Sequence, residues 1–164
     1  MHPTLTGVSA SQIYHYFTDK SALILAVIGH RTDTVLGTHR AVLERVDSFD
    51  ALEEWRNTIV ASVEAQNCAG GCPLGSLVSA TAETDPTARA ALAESFSQWE
   101  RLLHTGLQAM RDRGELRADT NTEPLAISML ASIQGGLLLS QTHRTTTALS
   151  TAIDTTIAYL KTLR

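Results

Sequence analysis

Two cysteines, Cys68 and Cys72, are the side chains of this chain with the clearest capacity for covalent chemistry. They stand four residues apart in "CAGGCPLG", so they could form a disulfide only if the Gly-rich segment between them bends suitably. One hypothesis is therefore a thiol sensor whose oxidation alters the local backbone. The interpretation we prefer is inert packing, because small buried cysteines usually play that role and two are too few for a disulfide framework.

The six histidines give no pattern for a metal site: His2, His15, His30, His39, His104 and His143. No two of them are three or four residues apart, the spacing that places two ligands on one helix face. Motifs typical of catalysis are also missing from the sequence, including the G-x-S-x-G turn and a phosphate-binding glycine loop after a strand. We therefore expect neither an enzyme nor a bound metal or cofactor.

Composition indicates a globular protein with a real core. The chain has 164 residues, 43% of them hydrophobic, and a formal net charge of −4. This charge argues against non-specific coating of nucleic acid, which requires clustered Lys and Arg. The first residues, "MHPTLTG", lack the basic and apolar parts of a signal peptide, and no apolar run approaches a bilayer-spanning length. The expected location is cytoplasmic, without membrane contact.

Apolar residues recur every three to four positions along the chain, and no alternating strand pattern is present. This spacing predicts an all-α fold. The predicted helices start after Lys20 (running towards Leu43), at an Asp50-x-x-Glu53 capping box, at Ser76 (to Glu83), at Asp85-Pro86 (to Met110), at Leu125 (to Leu139) and before Leu149 (to Leu160).

The last two predicted helices are so apolar that they must be covered on several sides. Small residues in the first of them, such as Gly135 and Gly136, would let another helix approach closely. A two-fold dimer made by these helices is one way to cover them, and an ordinary core within one chain is the alternative. The expected interface residues are Leu130, Gly136, Leu137, Ile153, Ile157 and Leu160.

The segment "GVSASQIYHYF", from Gly7 to Phe17, carries its own signals for a helix start. Ser9 and Gln12 form a capping box, and Val8 and Ile13 occupy the positions of a hydrophobic staple. On a helical wheel one face is apolar and the other presents hydrogen-bonding groups without any acidic residue. Such a face could approach a DNA groove without repelling phosphates, although a purely structural turn would look the same.

This segment and its continuation, "TDKSALILAVI", resemble the end of the helix-turn-helix of the tetracycline-repressor (TetR) family of bacterial transcriptional regulators. The Gly-Val-Ser turn, the Tyr-x-Tyr-Phe ending and the following Lys-x-x-Leu carry the resemblance. Further on, "AGGCPLGSL" and "GELRADTNTEPLAISMLASIQGGLLL" resemble the ligand-binding region of the LmrA/YxaF-like subgroup. The resemblance implies a helical, two-fold symmetric regulator that binds operator DNA and a small apolar effector.

The resemblance also implies two parts of the chain. Residues 1–45 would be a partial helix-turn-helix domain with its connecting helix, and residues 46–164 a helical bundle for effector binding and dimerisation. DNA contacts would fall to Ala10, Ser11, Gln12, Tyr14, His15, Tyr16 and Lys20. Only "MHPTL" stands where members normally carry a basic arm and earlier helices, so the chain as written is expected to bind operator DNA weakly or not at all. A full-length form extended upstream is expected to bind it.

An effector site in such a bundle would be a mostly apolar cavity between helices. Large aromatic residues near Gly-rich segments favour a cavity, with Gln134 or His104 orienting a ligand; the alternative is that all these side chains simply fill the core. The expected lining is Trp55, Phe96, Trp99, Leu103, His104, Met129, Ile133 and Gln134. The predicted function is a repressor that the effector releases from DNA, and its rival is a dimeric small-molecule-binding module without DNA activity.

Overall fold

The computed structural model describes residues 15–164, and the regular secondary structure within that range is entirely α-helical. The all-α prediction is confirmed. Six helices lie wholly within the described range: α1 (Lys20–Leu43), α2 (Phe49–Ala65), α3 (Pro73–Thr81), α4 (Pro86–Asp112), α5 (Thr122–His143) and α6 (Thr147–Lys161).

The helix starts show which capping predictions hold. Asp85 caps α4 with Pro86 at the first helical position, as the sequence predicts, and its carboxylate accepts from the backbone N–H of Ala88 at 2.9 Å. The capping box expected at Asp50 is wrong. Ser48 caps α2 instead, and its hydroxyl accepts from the backbone N–H of Ala51 at 3.3 Å.

The short helix α3 starts three residues earlier than predicted. Cys72 is its N-cap, with Pro73 at the first helical position, and the cysteine sulfur accepts from the backbone N–H of Gly75 at 3.4 Å. Cysteine is an uncommon N-cap residue compared with Ser, Thr, Asp or Asn, so the sequence pattern does not indicate a helix start at Cys72.

Helix α4 lies at the centre of the bundle, packing against α1, α3 and α5. Its predicted apolar stripe, including Leu92, Trp99 and Leu107, is buried. Helix α5 packs against α4 on one side and α6 on the other, while α6 also contacts α2. The core is therefore continuous from α1 to α6.

The residues expected at a dimer interface lie inside the chain's own core. Their exposed fractions run from 0% at Ile153 and Leu160 to 8% at Leu137, and Gly136 is buried as well. A Cβ placed on Gly136 would lie 2.8 Å from the Leu149 Cα, so α5 and α6 pack backbone to backbone there. This corrects the expectation: Leu130, Gly136, Leu137, Ile153, Ile157 and Leu160 serve the intrachain core, the alternative that the sequence left open.

Other apolar residues of the same two helices face outward. Ile127, Leu138, Leu139 and Tyr159 are all between 47% and 63% exposed. Helix α5 is also long and apolar enough to cross a membrane by length and composition, a property shared by core helices of soluble proteins. Its other face is packed against α4 and α6.

Candidate functional site

A cleft of about 280 Å³ opens between α1 and α2. Buried apolar side chains form its floor, and exposed polar side chains, mostly hydroxyls, surround its mouth. The lining comprises Arg31, Thr34, Val35, Thr38 and His39 of α1, Thr58, Ile59, Ser62 and Val63 of α2 with Gln66 after it, the segment Gly71–Pro73, Trp99 of α4, and Ile133 and Leu137 of α5. An apolar floor with a polar rim suits a small amphipathic or aromatic molecule.

His39 forms part of the cleft wall and makes two aromatic contacts. Its ring stacks on Trp99 with centroids 4.7 Å apart and planes inclined by 25°, and it meets Trp55 edge to face at 6.3 Å. Burial lowers the pKa of His39 to about 4. The imidazole is therefore neutral at neutral pH, so it offers one hydrogen-bond donor and one acceptor.

Sequence reasoning did not select His39. The signal was present, because Val35, Leu36 and Leu43 share its helix face at spacings of three and four, and all three are buried. A polar ring on a buried helix face is a candidate for a site.

Unused hydrogen-bond donors are concentrated around this region. The indole Nε1–H groups of Trp55 and Trp99 are buried and have no acceptor among the described residues, and the same holds for the Gln134 Nε2. A buried donor without a partner costs about 1–3 kcal/mol, so most folded proteins supply one. Each of these nitrogens has less than 1 Å² of exposed surface, so none of them faces the open cleft.

The rim of the cleft is rich in acceptors. The hydroxyls of Thr34, Thr38 and Thr58 donate to the carbonyls four residues earlier at 2.8, 2.9 and 3.0 Å. Since each hydroxyl proton is used, these exposed oxygens can act towards a ligand only as acceptors. Arg31 is the charged residue of the lining.

The structure brings some of the predicted ligand-binding residues together and separates others. Trp99 and Ile133 line the cleft. Trp55 is not part of the lining, but its ring contacts His39, which is. Gln134 lines an adjoining groove of about 440 Å³ that shares Cys72 with the cleft. The other four, Phe96, Leu103, His104 and Met129, are not among the lining residues.

A wider surface depression of about 560 Å³ lies elsewhere, between the end of α2 and the start of α6. Its lining is almost wholly polar: Glu64, Asn67, Cys68, Arg144, Thr145 and Thr146. Apart from Cys68, no buried apolar residue lines it, so it is a poor candidate for the apolar effector that the sequence implies.

Of the residues predicted to contact DNA, Ala10, Ser11, Gln12 and Tyr14 lie outside the described residues. His15 and Tyr16 are helical and exposed, with ring centroids 5.3 Å apart in an edge-to-face contact. Lys20 is the exposed first residue of α1. Their roles stay predictions.

Helix α1 connects this end of the chain to the cleft. It begins at Lys20 and carries His39 near its other end. Between them, the hydroxyls of Thr32 and Ser95 form a buried hydrogen bond of 2.7 Å that ties α1 to α4. A polar contact and an aromatic stack on the same face of α1 thus connect this helix to α4.

Comparisons with known proteins give the family. The family described as the tetracyclin repressor-like C-terminal domain matches residues 48–156, which is more than half of the chain. A regulator from Lactococcus lactis subsp. lactis, described as an uncharacterized HTH-type transcriptional regulator in the lacX 3′ region, is 29% identical over 152 residues. This match covers 91% of this chain and 75% of the relative.

Solved structures share the fold. A regulatory protein TetR from Rhodobacter sphaeroides has a TM-score of 0.83 at 20% identity. The match covers 93% of this chain and 82% of the Rhodobacter chain. A TetR-family regulator from Agrobacterium tumefaciens has a TM-score of 0.79 at 15% identity. The match covers 94% of this chain and 81% of the Agrobacterium chain. The LmrA/YxaF-like subgroup stays a prediction. With two thirds of its length matched by the family and its helices arranged as in these structures, the chain belongs to the TetR family of transcriptional regulators.

Proposed function

We propose that this protein is a repressor whose hold on operator DNA is released by a small, largely apolar or aromatic effector bound in the cleft between α1 and α2. The observation that carries the proposal is the course of α1. This helix follows directly on the predicted reading segment and supplies His39 to the wall of the cleft. We place the division between a DNA-binding part and a bundle after residue 45, a position that lies in the turn between α1 and α2.

The mechanism would be a shift between two conformations. A molecule that enters the cleft contacts α1 and α2 together, so it favours the spacing of these helices that fits it best. Since α1 leads to the reading segment, a change in its position moves that segment. In a two-fold dimer the two reading segments would then no longer match successive half-sites on DNA.

A homodimer is part of this proposal. Its interface is the exposed apolar face of α5 and α6, not the buried residues that the sequence suggested. Gly135 lies on the exposed face of α5, where a Cβ would meet nothing within 4 Å. Ala131, one turn earlier, is exposed as well. Small residues between exposed large apolar ones let two helices approach closely. We propose that the second copy covers Ile127, Ala131, Gly135, Leu138, Leu139 and Tyr159.

The dimer proposal predicts that Gly135→Glu converts a dimer to a monomer. The space around Gly135 is open within the chain, so the change should leave the fold intact while placing a charge in the contact with the second copy. Analytical ultracentrifugation measures the mass. Gly29→Glu is the matched control, since Gly29 is an exposed helical glycine of α1 with equally open space. A wild-type monomer, or a dimer in both variants, would contradict the proposal.

The effector site predicts a fluorescence response. The chain has two tryptophans, Trp55 and Trp99, and both contact His39 at the cleft. Saturable quenching by a panel of naphthalene and indole derivatives is therefore expected, and Thr58→Phe, which fills the mouth, should weaken binding by about tenfold or more, the equivalent of ~1.4 kcal/mol. Thr105→Phe on α4 is the control, because Thr105 is an exposed helical threonine with the same hydroxyl bond to a carbonyl four residues earlier.

Selection from random duplex DNA distinguishes the two functions that the sequence leaves open, provided that the protein is extended upstream by the basic arm and earlier helices that complete the DNA-binding domain. Enrichment of a two-fold symmetric sequence, which the quenching ligands then release, supports the repressor. Saturable quenching without any enriched DNA favours the dimeric small-molecule-binding module. If no compound quenches, or if Thr58→Phe leaves the binding of a quenching compound unchanged, the cleft is not an effector site.

A further inference from the structure

Arg31 lies at the mouth of the cleft without a counterion from its own chain. Its side chain is exposed and forms no ion pair with a described carboxylate, whereas seven other arginines do. Residues 1–14 contain no Asp or Glu that could pair with it. The residues three and four positions away along α1 are all uncharged as well. The guanidinium is therefore available to an anion from outside the chain.

The rest of the lining carries no charge. None of the described lining residues is Asp or Glu. Burial lowers the pKa of His39 to about 4, so its imidazole is neutral and Arg31 is the only full charge in the described lining. The chain as a whole has a formal net charge of −4. A positive lining in an acidic protein favours an anionic ligand over a cationic one.

Most of the other polar groups at the mouth have no donor to spare. The rim threonines of α1 and α2 donate their hydroxyl protons to carbonyls of their own helices. The Gln66 Nε2 donates to the carbonyl and hydroxyl oxygens of Ser62 at 3.0 and 3.5 Å. A carboxylate has acceptor atoms only, so it would depend on Arg31, whose planar guanidinium can donate to both oxygens at once.

An apolar surface continues from Arg31 into the cleft. Arg31, Val35 and His39 follow one another at intervals of four residues, so they form a row along one face of α1, about 12 Å long. Val35 is buried, and His39 stacks on Trp99 with ring centroids 4.7 Å apart. A planar ring would fit the apolar part of this row, with an anionic group directed towards the exposed Arg31.

We propose that the cleft selects planar aromatic carboxylates, with the ring beside Val35 and Trp99 and the carboxylate paired with Arg31. The inference rests on the proposed function, because it names an effector class for the same cleft. Since Arg31 is exposed, both charges stay partly hydrated, which avoids the desolvation cost of a buried ion pair. The same hydration limits the gain in affinity to about fivefold, the upper end for an exposed pair.

Isothermal titration calorimetry with 2-naphthoate and 2-naphthamide tests the proposal. The two compounds share a ring system, but the carboxylate only accepts hydrogen bonds, whereas the amide also donates them. A rim of acceptors alone would favour the amide. Pairing with Arg31 should make the wild type bind the carboxylate about fivefold more tightly than the amide.

The variant Arg31→Gln should bind 2-naphthoate about fivefold more weakly than the wild type and bind 2-naphthamide equally well. Glutamine is a good helix former, so α1 should persist. Arg40→Gln is the matched control: Arg40 is an exposed arginine of the same helix outside the lining, and its contact with Glu44 is long, at 4.0 Å. This variant removes the same charge and should keep the wild-type preference.

Equal affinity for the two compounds in the wild type, or tighter binding of the amide, would overturn the proposal. So would an unchanged preference in Arg31→Gln, or an equal loss in Arg40→Gln. The effector site itself survives these outcomes if Thr58→Phe weakens binding of the amide. If neither compound binds while others of the panel quench tryptophan fluorescence, the carboxylate proposal alone fails; if none of them quenches, the effector site fails with it.

Discussion

Replacing Gly136 with alanine is expected to lower the free energy of unfolding by about 1–3 kcal/mol, the usual cost of overpacking a core. The added Cβ would lie 2.8 Å from the Leu149 Cα and 2.9 Å from its Cδ1. Leu149 is fully buried near the start of α6, so a rotamer change cannot relieve the contact with its backbone. The two helices would have to move apart.

Urea denaturation measures this loss, and Gly37→Ala on α1 is the control. Gly37 is an exposed helical glycine, and a Cβ there meets nothing within 4 Å. Alanine is the better helix former, so this variant should gain up to about 1 kcal/mol. If the Gly136 variant were as stable as the Gly37 variant, close α5–α6 packing would not be what requires glycine at position 136.

Acidification is expected to remove up to about 3 kcal/mol of stability through His39 alone, taking ~1.4 kcal/mol for each pH unit. Burial lowers the pKa of this residue from 6.5 in the unfolded chain to about 4 in the folded protein. Between these two values the unfolded state binds a proton that the folded state does not. The free energy of unfolding therefore keeps its whole value above pH 6.5, as far as His39 is concerned, and decreases as the pH drops from 6.5 towards 4.

The variant His39→Phe keeps an aromatic ring against Trp99 but has no titrating group. Its free energy of unfolding, measured at pH 7.5 and pH 4.5, should change less between the two values than that of the wild type, by about 2–3 kcal/mol. His143→Phe, at an exposed position in the last turn of α5, should retain the wild-type pH dependence. Identical pH dependence in wild type and His39→Phe would mean that His39 titrates normally.

Much of the architecture could be predicted from local patterns. The stripe from Leu92 to Leu107 requires a helix with one buried face, and Asp85-Pro86 marks where it begins. Such signals depend only on neighbouring residues, so they are readable without a fold. The motif from Gly7 to Phe17 likewise indicated the TetR family, which the match over residues 48–156 supports independently.

The candidate site was less predictable, because a helical pattern shows which face is buried but not what it is buried against. Phe96 and Met129 are apolar residues of the same kind as Trp99 and Ile133, yet only the latter pair lines the cleft. His39 became part of the site because α1 and α2 leave space between them beside Trp99.

The sequence by itself determined the all-helical class, the order of the helices and the family, since each follows from the spacing and type of residues close in the chain. Tertiary structure alone decided which side of the apolar helix α5 is inside, because a helix apolar nearly all round carries no periodic signal to orient it. Packing against α4 and α6 buries Leu130 and Leu137 and leaves Ile127 and Leu138 exposed. The same packing brings Cys72, Trp99 and His39, which are far apart in the chain, to one cleft.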